Sequence, residues 1–73
     1  MAIDVGRSIR IARVQKGLRN QDIADRLGIH VKQVSMMANR RSASTTTIER
    51  FAELFGMTPS DFIALGETDD IQQ

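Results

Sequence analysis

Four glycines each follow a run of apolar residues at helical spacing, and this punctuation restricts the chain more than any other feature. Val5, Ile9 and Ala12 recur at i, i+4 and i+7, the period of one helix face, with Gly17 just beyond. Ile23, Ala24 and Leu27 form a second stripe, broken by Gly28. Val34 with Met37 or Ala38 supplies the inner face of a third helix. Ile48, Phe51, Ala52 and Phe55 build a fourth, ended by Gly56, and Phe62, Ile63 and Leu65 a fifth, closed by Gly66. Nowhere does the pattern alternate with the period of two that marks a strand. The expected fold class is all-α: five short helices around one core.

The helix starts are signalled as clearly as the ends. Asp4 can cap the first helix, and Asn20 and Asp22 place acceptors near the free N–H groups of the second. One of Ser44, Thr45 or Thr46 caps the fourth, and Thr58-Pro59 with Asp61 opens the fifth. Ile11 and Val14 fall off the inner face of the first helix, so exposure of one or both is expected there. Residues 1–66 read as one domain. Residues 67–73 read as a polar, acidic tail with only Ile71 to bury.

Charge narrows the function. The net charge of +1 hides a division: residues 1–44 carry nine Lys or Arg against three Asp, a net +6, and residues 45–73 carry one Arg against six acids, a net −5. A basic half and an acidic half suggest one face for a polyanion and another kept away from it. The absence of cysteine rules out disulfides and thiolate metal sites, and the lone His30 makes no metal site. No stretch is long enough to span a membrane or serve as a secretory signal. The expectation is a cytoplasmic protein with no metal and no cofactor. No nucleophile–base pair or glycine-rich phosphate loop is present, which argues against an enzyme.

Two helices set close together need a small residue where they touch, a turn residue tolerant of positive φ, and an apolar lock on the second helix. Ala24, Gly28 and Val34 meet these needs in order, at spacings of four and six. With "IRIAR" and "KGL" before it, "IADRLGI" within it, and "IERFAELFGM" then "PSDFI" after it, the chain from about Ile9 to Leu65 resembles the Cro/CI-type helix-turn-helix family of phage repressors and their bacterial relatives. The resemblance implies a compact five-helix, lambda-repressor-like DNA-binding domain with its helix-turn-helix at about residues 20–39.

Three departures stand out. Many members of that family carry a glutamate at the position of Ala38, paired with the arginine matched here by Arg13. A buried arginine without a partner is costly, so Arg13 is expected to reach solvent, a carbonyl or a phosphate. The usual glycine after the third helix is Arg40, and the usual proline in the following loop is missing. Asn39 tolerates a left-handed conformation better than Arg40, which predicts that the third helix stops one residue early.

The resemblance lays the third helix in the major groove, with Val31, Lys32 and Met36 at the bases and Ser35 close by. Lys32 can donate to guanine, and Val31 and Met36 can pack on a thymine methyl. Met37 is better placed as core filler by its helical phase. Asn20 and Gln21 suit a phosphate at the start of the second helix, and Asn39, Arg40 and Arg41 suit one after the third. His30 is expected to cap the third helix or touch phosphate. Ile63, Leu65 and Ile71 are the candidate homodimer contacts, whereas Phe62 belongs to the core.

The function implied is control of transcription, most readily repression, through a double-stranded DNA operator, in a bacterial or phage-encoded protein. If the chain is complete, its length leaves no room for a separate effector domain, and a Cro-like or controller protein is expected. The rival is a protein-binding module, an antirepressor or antitoxin, that keeps the fold without base reading. Exposed methionine and valine on the third helix would suit that rival.

Overall fold

The structure, a computed structural model, describes residues 2–68, side chains at Ala2 and Thr68 excepted. Five helices follow one another: α1 (Val5–Gln15), α2 (Asn20–Leu27), α3 (Val31–Ala38), α4 (Thr45–Phe55) and α5 (Pro59–Leu65). The starts are the ones the sequence signals. The Asp4 carboxylate accepts from Arg7 N–H at 3.1 Å, Ser44 Oγ from Thr47 N–H at 3.2 Å, and Thr58 Oγ1 from Asp61 N–H at 3.1 Å. Each bond satisfies one of the amides that a helix's first turn leaves without an internal partner. At the other ends, Gly28 and Gly56 take up the left-handed conformation, φ 70° and 71°. Gly66 closes α5 without turning left-handed, at φ −94°.

Packing follows the apolar stripes. α1 lies against both α3 and α5, α2 against α3, and α4 against α5. Between them Val5, Ile9, Ala12, Ile23, Ala24, Val34, Ala38, Phe51, Ala52, Phe55 and Phe62 are buried. The three phenylalanines form the centre of the C-terminal half. Their ring centroids lie 5.9–6.2 Å apart, within the range of favourable aromatic pairs. Buried Ser8 joins α1 to α5, its hydroxyl 3.4 Å from the Ile63 carbonyl oxygen and 3.5 Å from that of Asp4.

One element has no precursor in the hydrophobic pattern. Two-residue strands, β1 (Ala2–Ile3) and β2 (Glu67–Thr68), pair antiparallel, with Ala2 opposite Thr68 and Ile3 opposite Glu67. Asp4 N–H extends the pairing to Gly66 O at 3.2 Å. The architecture is nonetheless that of an all-α domain, and no helix among the described residues is long and apolar enough to cross a membrane.

Candidate nucleic-acid interface

α2 and α3 meet across a three-residue connection, Gly28 to His30. Ala24 is fully buried at the crossing, and Ile29 N–H donates to Ala24 O at 3.0 Å, so the turn folds back onto α2. Gly28 supplies the positive φ that this reversal needs. Val34, also fully buried, locks α3 from beneath. Asn20 Nδ2 lies 3.4 Å from Ser35 Oγ and ties the start of α2 to the middle of α3.

His30 caps α3. Its Nδ1 accepts from Lys32 N–H at 3.0 Å, and the Gln33 side-chain oxygen accepts from His30 N–H at 3.0 Å. At the start of α2 only half of that arrangement is present: the Asp22 carboxylate accepts from Arg19 N–H at 2.8 Å and stands 3.5 Å from the Arg19 Nε. The Arg19 amide, then its guanidinium, hold the Asp22 carboxyl below its ordinary value of 3.8. At the far end of α3 the helix stops at Ala38, one residue early as the Asn39–Arg40 pair predicts. The expected left-handed residue is not there: Asn39 sits at φ −104°, and no described residue other than glycine has positive φ. The turn closes instead through Asn39 N–H on Met36 O and Arg40 N–H on Met37 O, at 3.1 and 3.2 Å.

A compact pair of helices with a small buried crossing residue, a left-handed glycine turn and an apolar lock is a helix-turn-helix. The helix-turn-helix family model matches residues 9–62, from the middle of α1 into α5. The chain belongs to the XRE-type helix-turn-helix family. It is thus a DNA-binding transcriptional regulator of that type. No curated protein gives a significant match to the chain.

For this helix-turn-helix the outward face of α3 is the surface of interest. Lys32 is exposed, and Met36 is 53% exposed, the most open large apolar side chain on the helix. Val31 is half-buried and packs against the core, so only part of it faces outward. Ser35 is half-buried beneath its contact with Asn20. Met37 packs against the core, as its phase predicts. Gln21 is exposed, but its amide already donates to Asp25 at 2.9 Å. His30, Asn39, Arg40 and Arg41 are all exposed. A cleft of about 160 Å³ lined by Arg10, Arg13, Asn20, Ser35, Ala38 and Asn39 joins the start of α2 to the end of α3.

Arg13 resolves its missing acid by donating to Leu18 O at 3.1 Å, one of the three outcomes expected of it. Two further arginines do similar work that sequence reading missed. Arg10 donates to Ala38 O at the end of α3, and Arg50 to Leu27 O at the end of α2, the latter at 3.0 Å. Cations near helix C-termini are a known signal, but these come from other helices and leave no local spacing to detect. Of the candidate dimer residues, Ile63 is half-buried, Leu65 is half-buried and packs on the core, and Ile71 lies outside the described residues.

Proposed function

We propose that the protein binds a palindromic operator as a symmetric dimer and controls transcription in the manner of a phage-type repressor, a Cro-like protein or a restriction controller. The reading is carried by one arrangement. The outward face of α3 presents Lys32 and Met36, its middle is tied to the start of α2 through Asn20 and Ser35, and its end runs into exposed Asn39, Arg40 and Arg41. Such a surface offers base contacts in its middle and phosphate contacts at its edges. Lys32 donates to a guanine, Met36 packs on a thymine methyl, and Val31 and Ser35 complete the contact. Asn20, Gln21 and His30 hold the phosphate backbone beside Arg40 and Arg41. The dimer forms through α5, with Ile63 and Leu65 at the contact.

A titration of DNA binding against salt tests this directly. If each subunit neutralises about four phosphates, a dimer gives a log–log slope of roughly −7. Replacing Arg40 and Arg41 together with Ala flattens the slope and weakens all sequences alike. An unchanged slope would remove both arginines from the phosphate contacts. The exposure of Met36 also favours a second reading, a protein-binding module, because a flexible thioether suits an adaptable protein surface. Absence of DNA binding even at low salt would select that reading.

A further inference from the structure

Three carbonyl oxygens around the exit of α3 accept hydrogen bonds from α1. Arg10 donates to Ala38 O, Gly6 N–H to Arg40 O at 2.7 Å, and Val5 N–H to Arg41 O at 2.9 Å. Val5 and Gly6 are the first two residues of α1, and their amides have no acceptor within the helix. The next two donors are satisfied locally, Arg7 N–H on the Asp4 carboxylate and Ser8 N–H on Asp4 O, both at 3.1 Å. The positive end of the α1 dipole therefore faces the backbone that leaves the negative end of α3. The start of α1 is satisfied by carbonyls just beyond α3, and the last carbonyl of α3 by the Arg10 side chain.

This junction depends on the absence of one atom. A Cβ on Gly6 would overlap the carbonyl oxygens of Arg40 and Ala38 and stand 2.8 Å from the Ala38 carbonyl carbon. All three are backbone atoms and cannot swing aside. Glycine in a first turn is otherwise a poor helix former, so its presence calls for a packing reason of this kind. The segment from Asn39 to Ser44 has no regular structure, and its one apolar residue, Ala43, packs on the core. The grip of α1 thus sets the direction in which the chain leaves α3, while the Arg40 and Arg41 side chains remain exposed.

We propose that Gly6 is a positioning residue for DNA binding: it lets the Val5 and Gly6 amides fix the backbone of Arg40 and Arg41 so that both guanidinium groups meet DNA phosphates. The proposal rests on the reading of those arginines as phosphate contacts. It adds that α1, which lies outside the helix-turn-helix itself, sets how many phosphates the protein engages.

A double-mutant cycle tests it, with Gly6→Ala made in the parent and in the Arg40→Ala/Arg41→Ala background. Binding of a random-sequence duplex is followed by fluorescence anisotropy over a salt series, with circular dichroism on every variant. Gly6→Ala alone should remain helical, weaken binding, and give a slope shallower by up to about 0.9 for each arginine displaced. In the background lacking both arginines it should change neither affinity nor slope. Equal losses in the two backgrounds would mean that Gly6 only supports the fold, and the proposal would be overturned. It would be overturned equally by a Gly6→Ala protein that is more heat-stable and binds with the parent's slope, the result for an unobstructed helix. If Gly6→Ala does not fold, the cycle is repeated with Val5→Pro. That change removes the donor to Arg41 O at a position where helices tolerate proline, and the same two outcomes decide. The arginine pair by itself judges the phosphate reading and the coupling judges Gly6, so the two failures are told apart.

Discussion

Lys32 and Met36 stand four residues apart on α3, one turn of the helix, and offer DNA opposite chemistry. The ammonium donates hydrogen bonds, and the thioether can only exclude water and fill space. In the proposed reading each therefore recognises a different base. Lys32→Ala should relax discrimination at one guanine by about 1–3 kcal/mol, and Met36→Ala should weaken preference at a thymine, both with the fold intact. Selection of preferred duplexes from a random pool, run on both variants, checks this. If both kept the parent's base preferences, the reading face would lie elsewhere. Val31 contributes less than its position suggests, because part of its side chain is already committed to the core. Gln33 is committed too, its side-chain oxygen held by the His30 amide. Neither commitment can be foreseen from helical phase, which gives a direction but not a partner.

At the scale of elements, α2 begins with the most electrostatic of the caps. Asp22 is held below its ordinary value chiefly by the Arg19 amide, so its charged form is the one the folded helix favours. The stabilisation is fully present above the ordinary value of 3.8 and is lost as pH falls through the lower folded value. Nuclear magnetic resonance of the Arg19 amide should show a titration midpoint below 3.8, and Asp22→Asn should abolish that titration. A midpoint at or above 3.8 would dismiss the interaction. Caps such as Asp4, Ser44 and Thr58 were legible in sequence because donor and acceptor lie three residues apart. So were the five helices and the core, whose apolar residues repeat within each segment. The grips of Arg10 on Ala38, Arg50 on Leu27 and Val5 on Arg41 were not. Their partners are 23 to 36 residues away in the chain, and only the folded molecule brings them together. Gly6 did carry a trace of its role, as a glycine inside a helical stripe, but not the identity of what it touches.

For the whole molecule, the division of charge orients the protein on DNA in the proposed reading. The basic half contains α1, α2 and α3, and the acidic half contains α4 and α5, so the second is expected to face away from phosphate. In the proposed dimer α5 is then available for pairing two subunits, which would place their α3 helices about 34 Å apart along one side of the duplex. Sedimentation and operator titration of Ile63→Asp, run together, test the pairing. Dimers and tight operator binding should be lost while circular dichroism remains helical. Undiminished cooperative binding would move the contact, and α1 is the next candidate, where Val14 is 68% exposed beside half-buried Ile11.

The small ladder between β1 and β2 has a mechanical consequence. Because Ala2 lies opposite Thr68 and Ile3 opposite Glu67, tension applied at both strands' outer ends meets the bonds one after another, as in a zipper, rather than all at once in shear. Asp4 N–H on Gly66 O is next in line, and immediately behind it come the Val5 and Gly6 amides on the carbonyls of Arg41 and Arg40. A pull on the strands therefore travels within three residues to the point where the chain leaves α3.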